Sequence, residues 1–259
     1  MANRRRALGL LGGLAVLVTA LPAWRLASRP APARDIHAEY VKVRSGTDSI
    51  SAYLAYPERS DAAPGVIVIH EIFGMSDFVR DRVTQLAKAG FVAIAPDLLS
   101  RRGGTPADQN QAIQLIRGLN PDTLTQDLDA TYAFLKSVRA VRADRIGVIG
   151  FCWGGGQSFR YATNNPALKG FVVCYGPGPD SASLARLTAP GLGVYAQNDA
   201  RISLSVPATD SMLEKLGKSY QYRIYPGVGH GFLRSRDIPA VADTAWTAVV
   251  QFFHTHLGA

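Results

Sequence analysis

The seven residues Gly150-Phe151-Cys152-Trp153-Gly154-Gly155-Gly156 constrain this chain more than any other stretch. They follow Arg145-Ile146-Gly147-Val148-Ile149, a short β-branched run suited to a buried strand, and they precede a run that predicts a helix from about Trp153 to Thr163. Strand, sharp turn and helix in that order give G-x-C-x-G the reading of a nucleophile elbow, with cysteine in place of the commoner serine. Such a turn brings strand and helix close together, so the residues two before and two after the nucleophile must lack bulk; Gly150 and Gly154 meet that requirement. The sulfur is then carried at a helix N-terminus, where the dipole and the free N–H groups favour thiolate over thiol. A dinucleotide-binding turn would need G-x-G-x-x-G, a spacing that Gly150-x-x-x-Gly154 lacks. The alternative at this point is a buried structural cysteine in a glycine-rich turn.

A chain of 259 residues is long enough for one α/β domain with a substantial core, and nothing in it repeats or resembles a second domain. The formal charge of +8 suggests nucleic acid at first sight. However, residues 1–34 hold six arginines (Arg4, Arg5, Arg6, Arg25, Arg29, Arg34) and no acid, so setting those six aside leaves +2. A nucleic-acid role is therefore not expected. The same segment runs from a basic start through uncharged Ala7 to Trp24 into a Pro/Ala-rich stretch ending at Ala33. That is the layout of a signal peptide, and the paired arginines resemble a twin-arginine export signal. Cleavage after Ala23 or Ala33 would release a periplasmic protein, whereas retention would leave an N-terminal membrane anchor. In an exported protein the two cysteines could pair, but Cys174, at the end of Gly170-Phe171-Val172-Val173-Cys174, reads better as a buried structural thiol.

The rest of the chain alternates strands with helices. Ala38–Val43 and Ile50–Tyr56 predict an antiparallel edge pair, and Gly65-Val66-Ile67-Val68-Ile69 predicts a parallel strand covered on both faces. Ser76 caps a predicted helix to about Lys88 with Gly90 beyond it; Phe91–Ala95 predicts a further buried strand, and Leu98–Asp108 a loop. Asn120-Pro121 opens a helix to about Val138 with Leu124, Leu128, Thr131 and Leu135 inward. Gly191–Ala196 and Tyr220–Tyr225 predict the last two strands, with a helix near Ala208–Leu216 between them and a final helix from about Pro239 to His256. The implied architecture is a mostly parallel, doubly wound sheet with its functional groups in loops at the strands' carboxyl ends.

Two such loops carry the partners a cysteine nucleophile needs. His230, in Gly227-Val228-Gly229-His230-Gly231, directly follows the last strand and is the candidate base. Asp199, in Gln197-Asn198-Asp199, closes the preceding strand and is the candidate orienting acid. Nucleophile, acid and histidine then occur in the chain order of α/β-hydrolases. The histidines and cysteines show no metal-ligand spacing, and neither a metal nor any other cofactor is expected.

With these residues in place, the sequence from about Ala38 to Leu257 resembles the dienelactone hydrolase family of α/β-hydrolases. The matching stretches are His70-Glu71-Ile72-Phe73-Gly74, Ala95-Pro96-Asp97-Leu98, Gly150 to Gly155, Asp199, and Tyr225 to Phe232. The resemblance implies an α/β-hydrolase domain over residues 35–259 after the leader, and a Cys152-His230-Asp199 triad acting through an acyl-enzyme. It also implies that Glu71 pairs with the resting thiol, that the backbone N–H groups of Ile72 and Trp153 form an oxyanion hole, and that Arg101 and Arg234 hold a substrate carboxylate. The expected substrate is a small ester or lactone, preferably anionic, and a monomer is expected. An esterase or peptidase of other acyl specificity, and a non-catalytic thiol-sensing protein on the same fold, are the alternatives.

Overall fold

The computed structural model describes residues 35–258; the leader expected over residues 1–34, with its export signal and candidate cleavage points, lies outside the described residues. Eight strands form one sheet in the order β1-β2-β4-β3-β5-β6-β7-β8. β1 (Ile36–Ser45) and β2 (Asp48–Pro57) are the expected antiparallel edge pair, with Tyr40 opposite Tyr53, and β2 joins β4 (Val92–Pro96) antiparallel. From β4 onward every pairing is parallel, through β3 (Ala63–Ile69), β5 (Val141–Phe151), β6 (Phe171–Cys174), β7 (Gly191–Asn198) and β8 (Tyr220–Gly229). β3 and β4 are buried at every position, as unbroken apolar runs must be when helices cover both faces.

The helices follow from caps and apolar stripes. α1 (Asp77–Lys88) buries Val79, Val83, Leu86 and Ala87; Ser76 stands at its N-cap without making a side-chain capping bond. α2 (Gln109–Arg117) is a helix that the sequence reading left unassigned; the Asp108 carboxylate caps it, accepting from the N–H groups of Asn110 and Gln111. α3 (Pro121–Ser137) starts at the expected Asn120 cap, whose side chain accepts from Asp122 and Thr123 N–H, and it buries Leu124, Leu128, Thr131 and Leu135. α4 (Trp153–Asn164) leaves the elbow, and the short α5 (Ser181–Leu184) and α6 (Ala200–Ser203) precede α7 (Val206–Lys215). α8 (Phe232–Ser235) and α9 (Pro239–Leu257) end the chain, with Ala245, Val249, Phe252 and Phe253 buried on α9. One core lies between the sheet and α3, α4 and α7; the other lies between the sheet and α1 and α9. Among the described residues no helix is long and apolar enough to cross a membrane.

Because Asn120 satisfies two leading N–H groups of α3, Asn120→Ala is expected to cost about 1 kcal/mol. Urea denaturation measures it, and a midpoint shift no larger than that of an exposed mid-helix control would remove the cap from the account.

The order of strands sets where a site can form. From β3 the chain crosses through α1 to β4 on one side, whereas from β5 it crosses through α4 to β6 on the other. The two connections diverge and leave a crevice outside the carboxyl ends of β3 and β5. Ile69 is in register with Gly150, so the turn after β3 lies beside the elbow after β5.

Candidate active site

At the end of β5 the chain reverses through Cys152, whose φ of 58° and ψ of −119° are unfavourable for any residue with a side chain. Close backbone packing maintains that conformation. A Cβ at Gly150 would lie 1.8 Å from the Gly154 carbonyl oxygen, and one at Gly154 would lie 2.3 Å from that of His70. The Cys152 N–H donates to the Cys174 carbonyl at 3.0 Å, and Gly155 N–H donates back to the Cys152 carbonyl at 3.0 Å. The sulfur thus stands at the start of α4, half-buried at the floor of the crevice. Both cysteines are free thiols, and Cys174 is fully buried beneath the elbow, where burial pushes its thiol far up.

The register of β7 and β8 delivers the other two groups. Asn198 stands opposite Gly229 across a bulge, so the next residues in each strand, Asp199 and His230, emerge side by side. His230 Nδ1 is 2.6 Å from Asp199 Oδ2, and His230 Nε2 is 3.1 Å from Cys152 Sγ. Asp199 is 7% exposed, whereas His230 is open to solvent. The hydrogen bond with Cys152, with further support from Asp199, raises the imidazole to about 9 despite partial burial. Tyr175 packs edge-on against the imidazole at 5.2 Å. It is fully buried, has a left-handed φ of 40°, and its hydroxyl has no hydrogen-bond partner among the described residues.

Glu71 is 2% exposed in the turn after β3, and burial raises its carboxyl to about 7 although Arg234 and His230 pull it down. The ion pair it makes is with Arg234, at 3.5 Å, while the thiol's hydrogen bond is to His230. Arg234, on α8 with its side chain 32% exposed, lies over the Phe73 ring at 4.4 Å, so two residues of the turn after β3 hold it at the crevice. Arg101 is placed differently from the expectation. Its guanidinium is spent on Asp127 at 2.9 to 3.2 Å, on Ser45 at 2.9 and 3.0 Å, and on Asp48, which ties the β1–β2 hairpin to α3. The cavity of about 290 Å³ that it lines is walled by Leu98, Arg102, Leu119, Leu124 and other residues of that side, with no member of the triad. A cation neutralised by two carboxylates has little left with which to hold a substrate anion.

Ile72 lies in the Glu71–Gly74 turn after β3, and Trp153 is the first residue of α4, where leading N–H groups have no intrahelical acceptor. Both side chains pack against the small cluster of Leu99, Ala112 and Ile116, which places α2 at the wall of the site. His70, directly after β3, is buried at 0% exposure. Its Nδ1 is 2.8 Å from the Glu71 carbonyl oxygen, its Nε2 is 3.2 Å from the Leu98 nitrogen, and its ring stacks on Trp153 at 5.6 Å. The Leu98 N–H can only donate, so Nε2 is the acceptor and Nδ1 carries the proton. Burial lowers this imidazole and keeps it neutral. No group of three or more metal-ligating side chains occurs among the described residues.

Glu71 and His230 make the folded state hold a proton that the unfolded chain releases at lower pH, whereas His70, lowered by burial, acts in the opposite sense below 6.5. The Glu71 contribution to stability is therefore expected to fall as pH rises from 4.5 to about 7, and the His230 contribution from 6.5 to about 9. Glu71→Gln should flatten the first part of the curve of Tm against pH and leave the second. An unchanged slope below pH 7 would contradict the buried, protonated carboxyl.

Residues 50–257 match the family model described as the dienelactone hydrolase family. A Methylorubrum extorquens protein named as a carboxymethylenebutenolidase is 36% identical over 208 residues, covering 74% of this chain and 71% of its own. The chain belongs to the dienelactone hydrolase family. It is a hydrolase on the eight-stranded α/β-hydrolase sheet. A Bradyrhizobium protein named as a 2-oxo-3-(5-oxofuran-2-ylidene)propanoate lactonase is 32% identical over 235 residues, 85% of this chain and 94% of that one. Among solved structures, one from Klebsiella pneumoniae named as a dienelactone hydrolase superposes with a TM-score of 0.78 at 29% identity, covering 85% and 98% of the two chains. Two expectations are redirected by their surroundings here: Arg101 is held by Asp127 and Asp48, and Glu71 pairs with Arg234 while the thiol pairs with His230; Tyr175 and His70 adjoin the site without having been candidates for it. A lone tyrosine after a strand gives no sign in sequence. His70 opens the matched His70–Gly74 stretch, but its contact with Leu98, 28 residues away, is not visible in sequence.

Proposed function

We propose that this enzyme hydrolyses small carboxylic esters or lactones, preferably anionic ones, through an acyl-enzyme on Cys152. The observation that carries the reading is the continuous relay from Asp199 through His230 to Cys152 Sγ, at 2.6 and 3.1 Å. In this reading His230 takes the thiol proton and the sulfur attacks the carbonyl carbon. The N–H groups of Ile72 and Trp153 receive the oxyanion, and collapse breaks the C–O bond as His230 protonates the departing oxygen. Water, deprotonated by His230, then attacks the thioester and releases the acid and the thiolate. For a lactone the departing oxygen stays tethered through the acyl chain. Asp199 keeps the imidazole in register and balances the imidazolium. Glu71, whose carboxyl is raised to about 7 and faces Arg234, adds a second proton-exchanging group at the crevice and helps to generate the thiolate.

Of the two arginines expected to hold a substrate carboxylate, Arg234 is the one we retain, because it sits beside Glu71 while Arg101 is occupied elsewhere. A charge-assisted contact of this kind contributes about 1.5 to 3 kcal/mol, so Arg234→Gln is expected to raise KM for a carboxylate-bearing lactone by roughly 10- to 100-fold while neutral aryl esters change by less than about threefold. Arg101→Gln should instead lower stability with little effect on either KM. Steady-state kinetics on dienelactone and an aryl acetate decides this: an equal loss on both substrates for Arg234→Gln would remove carboxylate recognition and leave the thiol chemistry standing. The expected export through residues 1–34 and a monomeric state belong to the same proposal, and are read by fractionation and by sedimentation.

A further inference from the structure

We propose that His70 is the positioning residue of the oxyanion hole, holding both N–H donors through a single buried ring. The proposal rests on the ester-hydrolase reading above and deepens it. Its first leg is covalent geometry. The Glu71 carbonyl and the Ile72 N–H belong to one peptide unit, which is planar and trans, so fixing the direction of the C=O fixes the opposite direction of the N–H. His70 Nδ1–H donates to that carbonyl at 2.8 Å, and Gly74 N–H donates to it at 3.1 Å, so the carbonyl is held from two sides. A carbonyl that accepts hydrogen bonds also polarises its own peptide, which strengthens the N–H facing the substrate.

The second leg reaches the other donor. The imidazole stacks on the Trp153 ring, with centroids 5.6 Å apart and planes 23° apart. The His70 carbonyl meanwhile sits where a Cβ at Gly154 would come within 2.3 Å, so the backbone at residue 70 presses directly on the start of α4. A third contact anchors the ring itself: Leu98 N–H, at the carboxyl end of β4, donates to Nε2 at 3.2 Å. His70 therefore connects the ends of β3 and β4 to the elbow after β5, and both its nitrogens are used in doing so. Its ring nitrogens bond to neither Cys152 nor His230, and it takes no part in the proposed proton relay.

Isosteric variants separate this role from ordinary packing. In His70→Asn the side-chain amide nitrogen occupies the place of Nδ1 and can still donate to the Glu71 carbonyl. In His70→Gln the side-chain oxygen can take the place of Nε2 and accept from Leu98, but the Glu71 bond is lost. We expect kcat on an aryl ester to fall roughly 10- to 100-fold in His70→Gln, a loss in the range seen when an oxyanion donor is removed, with KM changed less than about threefold. His70→Asn should retain at least about tenfold more activity than His70→Gln. Alkylation of Cys152 by iodoacetamide, which needs the thiolate but no oxyanion hole, should stay within about twofold of wild type in both. Equal or reversed activities of the two variants, or alkylation that falls in step with turnover, would overturn the proposal. The ¹H–¹⁵N shifts of Ile72 and Trp153 in the unliganded protein supply a readout that needs no turnover. They should move in His70→Gln and lie nearer wild type in His70→Asn, and unmoved shifts would overturn the proposal even if the wild-type enzyme hydrolyses no ester offered, which would sink the ester reading instead.

Discussion

Cys152→Ala is expected to lower ester and lactone turnover by roughly 10⁴- to 10⁶-fold, as removal of the nucleophile does in hydrolases of this triad type. The fold should survive the change. Alanine keeps the Cβ that already occupies the strained backbone at φ 58°, and the contacts that hold the elbow are made by main-chain atoms of Gly154, Gly155 and Cys174. The second cysteine cannot substitute, since Cys174 is fully buried and its thiol is raised far above the usual range by burial. Two measurements check the expectation together: aryl-ester hydrolysis, and the mass of the protein quenched during turnover. Wild type should carry the acyl group on the peptide containing Cys152, and the variant should carry none. Turnover surviving in the variant within about tenfold of wild type would mean that water attacks directly, with Cys152 a bystander.

Gly150→Ala should have the largest effect on stability of any single methyl addition in the crevice. The new Cβ would meet the Gly154 carbonyl oxygen at 1.8 Å and its carbon at 2.3 Å, and both are backbone atoms that cannot swing away. Overpacking of this kind costs about 3 kcal/mol or more, which for a domain of this size corresponds to a fall in Tm of roughly 6 to 12 °C. Gly229, immediately before His230, provides the control, because a Cβ there meets nothing within 4 Å. Gly229→Ala is expected to be neutral or slightly stabilising through the unfolded chain. Calorimetry on the pair distinguishes a steric requirement at the elbow from a general intolerance of change near the site, and equal melting of Gly150→Ala and wild type would contradict the close approach itself.

How much of this was legible beforehand depended on whether the signal was local. The elbow, the relay and the order of the strands were legible because each rests on a few contiguous residues: small residues around Cys152, unbroken apolar runs in β3 and β4, and a polar group just past the end of β7 or β8. α2 escaped because only Ala112 and Ile116 on it are buried, too narrow a stripe to stand out beside an arginine- and glycine-rich loop, although Asp108 and Gly118 mark its two ends. β8 proved longer than expected because Pro226 and Gly227 read as loop, yet the strand continues to Gly229 across a bulge, and that extension is what carries His230 to Asp199. Arg101 shows the limit most clearly. Its carboxylate partners lie 26 and 53 residues away, on α3 and at the start of β2, so nothing near it in sequence reveals that its charge is already spent. The raised carboxyl of Glu71 likewise depends on burial that only the assembled sheet provides.

The atoms that locate the sulfur are nearly all main-chain atoms: the Cys174 carbonyl that receives its N–H, the glycine peptides that press on one another, and the strand register from Ile69 to Gly150. Main-chain atoms are common to every residue type, so this framework tolerates drift in the side chains around it as long as a few positions stay glycine. The walls of the crevice, built from Ile72, Trp153, Phe73, Arg234 and the cluster on α2, are under no such restriction. On the proposed reading, a descendant of this chain could therefore exchange one acyl group for another by substitutions at the rim while the sulfur kept its coordinates, and selection for a new substrate would begin from an elbow already in place.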